Sequence, residues 1–282
     1  MDAVITYVNG ADPKWQALYA AHSGHEPAKR FRDWGLLPVQ IAAIRRYLPF
    51  VEKIFLVVAL PSQVPPGLPE DVEVILHKEI IPAQFMPTFN SAAIEMFLHR
   101  IPGLDARFLY INDDCIPVMP CTEDDFFRGD SIVKGFSKHL FSFGQYKKHC
   151  RNSDRLARKA CRKLWSPVYL RPQHTVSPMF RDACEAVFVK VQKRIEASIT
   201  PEREDCNVNQ NIFQDYLYHK GRAVNRRMSN KHISLGATTP RALARYLAKP
   251  EHKWVCINDV SLPEKLVCDY RQVIEKVFPT EP

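Results

Sequence analysis

The sequence predicts an α/β fold, a buried sheet flanked by helices, with a mainly helical second half. Three observations lead there. Four short runs rich in Val, Ile, Phe and Tyr, at residues 2–8, 53–59, 72–76 and 107–112, are each bounded by Gly, Pro, Asn or Asp, as buried strands are. Helical stretches alternate with them. After residue 120 the apolar residues turn to helical spacing, as in Ala183, Val187, Val191 and Ile195.

Residues 2–8 open the sheet, and Pro38 suits the first turn of a helix reaching Leu48, where its missing N–H is no loss. Residues 53–59 and 72–76 supply the next two strands. Ser91 caps a helix running to Arg100, and 107–112 is the fourth strand. Further helices are expected at 152–164, 178–198, 207–219, 240–248 and 263–277, with a short strand from Trp254 to Ile257 returning to the main sheet. The organisation expected is an α/β core of residues 1–130 plus about 250–262, a mainly helical basic subdomain at 131–249, and a C-terminal helix at 263–282.

With 46% hydrophobic and 25% charged residues, the 282-residue chain is a packed protein rather than a disordered or collagen-like one. Its longest apolar run, Ile54 to Leu60, has seven residues, too short for a membrane-spanning helix. The first residues lack the basic and apolar segments of a signal peptide, so a cytoplasmic location is expected, with peripheral contact at the inner face of the membrane left open. The eight cysteines include no Cys-x-x-Cys pair and read as small buried thiols, not as disulfides or structural zinc ligands.

Charge is concentrated. Residues 131–171 hold eleven Lys or Arg against one acid, Asp154, a net +10 within a chain of net +8. Such a field attracts an anionic polymer, a phosphorylated substrate, nucleic acid or a membrane surface, unless it is simply a solvated helix face.

Strand 107–112 runs into Asn112-Asp113-Asp114, which places two carboxylates and an amide at the carboxyl end of a buried strand, where α/β sheets bind ligands. The turn is either capped by these residues or holds a divalent metal beside a diphosphate. The first strand ends in Asn9-Gly10-Ala11-Asp12, with Gly10 allowing backbone approach to a ligand, and Cys256-Ile257-Asn258-Asp259 repeats the pattern. Pro87-Thr88-Phe89-Asn90-Ser91 precedes the helix carrying Glu95, His99 and Arg100 and offers free N–H groups to an anion. His174 is a candidate base. No Walker loop or Gly-rich dinucleotide fingerprint is present.

Four blocks resemble, in order, the Stealth family of sugar-1-phosphate transferases, which includes bacterial capsule polymerases and the catalytic part of N-acetylglucosamine-1-phosphotransferase. They are DAVITYVNGADPKW from Asp2 to Trp15; Arg32-Asp33 with the following helix, Tyr47 to Phe50 and Gln63-Val64-Pro65; PTFNSAAIEMFLHRIPGLDARFLYINDD from Pro87 to Asp114; and Cys256 to Asp259. Weaker likeness appears in Ser153 to Leu156, His174-Thr175 and Tyr216 to His219. Where the family has Glu-Leu-Arg and another Arg four residues later, this chain has Leu36-Leu37-Pro38 and Ala42, and Val260 stands where the family has a second Asp. Either Arg45, Arg46 or a basic residue of 131–171 supplies the missing charge, or the substrate differs.

The resemblance implies a Rossmann-like, GT-A-like core that binds a nucleotide-sugar donor, such as UDP-N-acetylglucosamine, and transfers sugar-1-phosphate to a saccharide or polysaccharide hydroxyl in capsule or exopolysaccharide synthesis. It implies catalytic roles for Asp12, His99, Asp113, Asp114, His174 and Asp259, and donor contacts from Asn9, Gly10, Asn90, Ser91, Arg100, Asn112 and Asn258. Mg²⁺ or Mn²⁺ would sit on Asp113 and Asp114. Lys147, Lys148, Arg151, Arg155, Arg158 and Lys159 are expected to hold the acceptor. An ordinary glycosyltransferase attacking the anomeric carbon is the nearest alternative and a basic nucleic-acid-binding protein the more distant one, although no nucleic acid is expected as a partner.

Overall fold

A computed structural model describes residues 1–24, 31–33, 35–258 and 264–277. The main sheet is built from the four apolar runs: β1 (Asp2–Thr6), β2 (Ile54–Val58), β3 (Val72–Leu76) and β4 (Arg107–Asn112) lie parallel in the order β4-β1-β2-β3. β2 reads Ile-Phe-Leu-Val-Val and is buried throughout, because helices cover both faces of a parallel sheet. Helix α1 (Pro13–Ser23) follows β1; Asp12 caps it by accepting from the Lys14 and Trp15 amides, and Gly24 closes it at φ 66°. Helix α2 (Leu37–Tyr47) has Pro38 in its first turn, while the short helices α3 (His77–Ile80) and α4 (Ser91–Glu95) return the chain towards β4.

The strands of the remaining sheets are β5 (Cys115–Pro117), β6 (Phe127–Arg128), β7 (Ser131–Lys134), β8 (Phe136–His139), β9 (Tyr169–Pro172), β10 (Ser177–Phe180), β11 (Ala223–Asn225), β12 (Asn230–Ser234) and β13 (Trp254–Asn258). β10 is the exception, adding to the main sheet antiparallel to β4. Helices α5 (Gln145–Ala160), α6 (Arg181–Glu196) and α7 (Asn211–His219) pack on this side through Leu156, Val187, Ile212 and Phe213. Helices α8 (Pro240–Ala248) and α9 (Glu264–Val277) form a smaller core with β12 and β13.

The α/β sheet with flanking helices is as expected, and among the described residues after residue 120 the five α-helices, 9 to 16 residues each, outweigh the eight strands of 2 to 5 residues. Seven of those eight strands the helical periodicity hid. Three expectations are corrected. The helix at 91–100 ends at Glu95, and its cap is Asn90, whose side chain accepts from the Ala92 amide, not Ser91. The strand at 254–258 does not return to the main sheet but pairs with β5 and β12, where Val255 and Ile257 bury against α8 and α9. The segment 178–180 is a strand before α6, not the helix's first turn, since its backbone completes the edge of β4.

Candidate functional site

Strand order reverses between β1 and β4, and at their carboxyl ends, where Thr6 faces Asn112 in register, a cleft opens. It has three connected parts. An inner cavity of about 170 Å³ is lined by Tyr7, His77, Phe89, Ser91, Asp113 and Arg203. Ser91 and Arg203 are shared with a middle cavity of about 140 Å³ that holds Glu95, Asn112, Tyr146 and His174. Tyr146 and His174 are shared in turn with an open groove of about 640 Å³ bearing His139, Arg171, Arg227 and His232. Asp113 therefore lines the inner cavity, and His174 stands where the middle cavity meets a basic trough.

The turn after β4 is held from below: Gln40 of α2, fully buried, donates from Nε2 to the carbonyls of Asn112 and Cys115, each at 2.7 Å. Asp113 reaches solvent in the cleft but is walled by protein elsewhere, and this desolvation, with the charges of Asp114 and Asp33, raises its carboxyl to about 7. Asp114 behaves oppositely. Burial would raise it, but His174 Nε2 lies 3.2 Å from its Oδ2 and the pairing holds the carboxyl below the ordinary range. For His174, burial favours the neutral ring, yet the hydrogen bond and charge of Asp114 prevail and raise its pKa. Glu95 is buried and raised; its carboxylate accepts from Tyr110 Oη and the Gln210 amide, while Arg203 opposes the shift.

Arg203, exposed to the cleft, donates to Ser91 Oγ. Its loop is clasped to the main core: Asn90 Nδ2 donates to the Thr200 and Glu202 carbonyls (3.0 and 3.1 Å) and to Asn207 Oδ1 (3.0 Å), while the Phe89 amide bonds the Pro201 carbonyl. Arg203 thus enters the site through a polar loop, Thr200 to Asp205, that reads in sequence as an ordinary linker between helices.

Of the residues singled out in the sequence, Ser91, Asn112, Asp113 and His174 line the cleft, and Asp114 stands behind His174. Others are engaged in shaping it. Asp12 caps α1 and accepts from Ser62 Oγ at 2.7 Å. Asn9 Oδ1 accepts from the Ala11 amide. Gly10 is needed for a close approach to Phe31, whose carbonyl oxygen would lie 2.4 Å from a Cβ, so its neighbour is protein backbone and not a ligand. Asn90 is fully buried in the clasp. His99 pairs with Glu185 at 2.7 Å and lines none of the three cavities, and the guanidinium of Arg100 lies 4.6 Å over the Phe188 ring centre. Asp259 and the side chain of Asn258 lie outside the described residues.

The six basic residues expected to hold acceptor fall on α5, where Arg151, Arg155, Arg158 and Lys159 line a separate groove. Lys148 pairs with Asp205, Arg158 with buried Asp154, and Arg151 donates to the Leu140 carbonyl. Nor do Arg45 or Arg46 supply charge: one pairs with Asp71 on the surface and the other lies over the Tyr47 ring. Among the described residues, Arg203 lines the inner and middle cavities, and Arg171 and Arg227 line the groove with His174.

Asp113 and Asp114 fit a hard divalent cation, which takes oxygen ligands from one or two carboxylates and completes its shell with substrate phosphate. The raised Asp113 carboxyl marks negative charge that a cation would offset. A softer set also exists: Cys115, His174 and Cys256 bring ligand atoms within 4.8 Å of one another, with the two sulfurs 2.8 Å apart. Tetrahedral zinc would hold its sulfurs farther apart, at roughly 3.8 Å for Zn–S bonds of about 2.3 Å. All eight cysteines are free thiols, five of them buried.

Residues 30–134 match the family description Stealth protein CR2, conserved region 2. The chain is 35% identical over 253 residues to the capsular polysaccharide phosphotransferase cps12A of Actinobacillus pleuropneumoniae, covering 79% of this chain and 66% of that protein. It is 30% identical over 287 residues to the exopolysaccharide phosphotransferase SCO2594 of Streptomyces coelicolor, covering 94% and 47%. With two further relatives covered to 40% and 41%, the chain spans between two fifths and two thirds of these proteins. Among solved structures, the galactosyltransferase LgtC aligns over 100% of this chain and 98% of its own at 11% identity, with a TM-score of 0.46. The matched region carries both Gln40, which fixes the carboxylate turn, and the turn itself, and the chain belongs to the Stealth protein family.

Proposed function

We propose that this chain transfers a sugar-1-phosphate from a nucleoside-diphosphate sugar, such as UDP-N-acetylglucosamine, to an acceptor hydroxyl during capsule or exopolysaccharide synthesis. The product is a phosphodiester and the leaving group is the nucleoside monophosphate. The observation that carries this reading is Asp113 in an inner pocket lined by Arg203 and Ser91, with His174, held by Asp114, where the adjoining cavity opens onto a basic groove. It agrees with the names of the phosphotransferase relatives.

In this reading the α/β side binds donor, its diphosphate meeting the Arg203 guanidinium and the Ser91 hydroxyl. Acceptor enters along Arg171 and Arg227. His174 takes the proton of the acceptor hydroxyl as that oxygen attacks the β-phosphorus, and Asp114 holds the ring and the positive charge it gains. The bond from the β-phosphorus to the bridging oxygen breaks, and charge developing on the departing monophosphate is met by Arg203. Asp113 and Asp114 would hold Mg²⁺ or Mn²⁺, which when bound neutralises diphosphate charge. The division of residues 1–130 plus about 250–262 as donor side from 131–249 as acceptor side belongs to the proposal, as does a cytoplasmic location with peripheral membrane contact. Among the described residues no helix is long and apolar enough to cross a membrane.

The test is a panel of nucleoside-diphosphate sugars incubated with enzyme and oligosaccharide acceptor, with released nucleotide resolved by ion exchange. Monophosphate released in step with acceptor consumption is the expected result. Diphosphate released instead identifies attack at the anomeric carbon and removes the proposal.

A further inference from the structure

Seven large hydrophobic side chains are exposed among the described residues, and six of them, Leu140, Phe141, Phe143, Tyr146, Leu164 and Trp165, fall at the two ends of α5. Trp165 and Phe143 are each 77% exposed and Leu164 89%. Scattered single hydrophobics are ordinary on a surface; a cluster beside a charged rim marks an interface. The two ends form one face. Arg151 donates to the Leu140 carbonyl and lies 5.2 Å from the Tyr169 ring centre, and Tyr169 Oη donates to the Phe141 carbonyl at 3.0 Å. The groove along α5 is lined by Arg151 and Tyr169 together with Leu164 and Trp165, and the Phe141 and Phe143 rings stack at 5.8 Å.

Between these apolar ends lie Arg155, Lys159, Arg162 and Lys163, all exposed. The one acid of the stretch, Asp154, is buried between Arg158 and His219 and leaves their charge in place. Arg162 also has the only positive φ of any described non-glycine residue, 55°. Its amide bonds the Lys159 carbonyl and that of Lys163 the Arg158 carbonyl, the paired bonds of a helix end that ordinarily carries glycine. A strained arginine where glycine would be relaxed adds a charge to this face.

We propose that the α5 face, with segments 140–143 and 162–165, docks on a membrane surface rich in anionic lipid. The basic side chains meet the headgroups while Phe141, Phe143, Leu164 and Trp165 enter the interfacial zone, where a Trp ring keeps its apolar body in lipid and its N–H in water. A soluble acidic polymer would satisfy the charges but leave these four side chains in water. Docking would set the catalytic groove beside the membrane, since His139 and Tyr146, which line it, flank the 140–143 segment. The inference rests on the peripheral contact included above and not on the transfer chemistry.

The test is co-sedimentation of the full chain with vesicles of phosphatidylglycerol and phosphatidylcholine, or of phosphatidylcholine alone, together with turnover on a soluble oligosaccharide acceptor. Binding should favour the anionic vesicles by roughly tenfold or more and weaken as salt rises. The variant carrying Phe141→Ser, Phe143→Ser, Leu164→Ser and Trp165→Ser should lose roughly tenfold of it at unchanged charge, with soluble-acceptor turnover and melting temperature retained. Three results overturn the proposal: no preference for anionic vesicles, equal binding by the variant, or a dimer in light scattering that the variant abolishes. Loss of soluble-acceptor turnover in the wild type would instead count against the transferase reading alone.

Discussion

Removing the Arg203 guanidinium should impair donor use without harming the fold. Arg203 is exposed in the cleft, its hydrogen bond goes to Ser91 Oγ on the same cleft wall, and the Asn90 clasp holds its loop without involving the guanidinium. Arg203→Gln therefore leaves no buried partner unsatisfied. What it removes is a charge-assisted hydrogen bond to donor phosphate, about 1.5–3 kcal/mol. At about 1.4 kcal/mol per tenfold, kcat/KM for donor should fall roughly 10- to 150-fold. Arg203→Lys, which keeps charge but not the planar fork, should fall between. Initial rates of nucleotide release over a donor series, with melting curves of each variant, decide the matter. If Arg203→Gln keeps kcat/KM within about threefold while folding normally, the donor phosphate does not meet this side chain.

Asp113→Asn and Asp114→Asn should each lower kcat by about a hundredfold or more, and EDTA should abolish turnover until Mg²⁺ or Mn²⁺ is restored; full activity in EDTA would dismiss the cation. Asn90→Ala leaves the Thr200 and Glu202 carbonyls without their amide donor, so chemical denaturation should show a loss of roughly 2–4 kcal/mol; a change under about 0.5 kcal/mol would mean that the clasp is not needed. Burial lowers the pKa of His77 from the usual 6.5 to about 4, so the unfolded chain binds more protons between these values. Its contribution is intact above pH 6.5 and is lost as pH falls towards 4, by up to about 3 kcal/mol. His77→Gln should flatten the fall in melting temperature over that window, and an unchanged slope would place the acid sensitivity elsewhere.

The first half was legible because its strands are largely apolar, β2 buried throughout and β4 in its four middle residues: β2, β3 and β4 match their sequence runs within a residue or two, although β3 exposes Glu73. Helix α8 was equally plain, with Thr239 as its cap and Pro240 in its first turn. Short strands of the second half were not, because Phe136–His139 is largely solvent-facing and Ser177–Phe180 merges into the apolar pattern of α6. In the site, Asp113, Asp114 and His174 could be found from strand endings and family likeness. Their pairing could not: His174 meets Asp114 across sixty residues of chain. Arg203 gave no signal, since its place depends on buried Asn90 reaching over a hundred residues away. Gly10 was read correctly as a close approach, but towards the wrong neighbour. The charge of α5 was visible in composition, whereas its separation from the groove that holds His174 followed only from how the helices pack.

Transfer at phosphorus is read most directly from the phosphorus NMR spectrum of the purified product after reaction with the cognate nucleotide sugar and a hydroxyl acceptor. Attack at the β-phosphorus predicts a phosphodiester resonance coupled to protons of both the transferred sugar and the acceptor, with the nucleoside monophosphate as co-product. A phosphate-free glycoside formed together with the nucleoside diphosphate would contradict it.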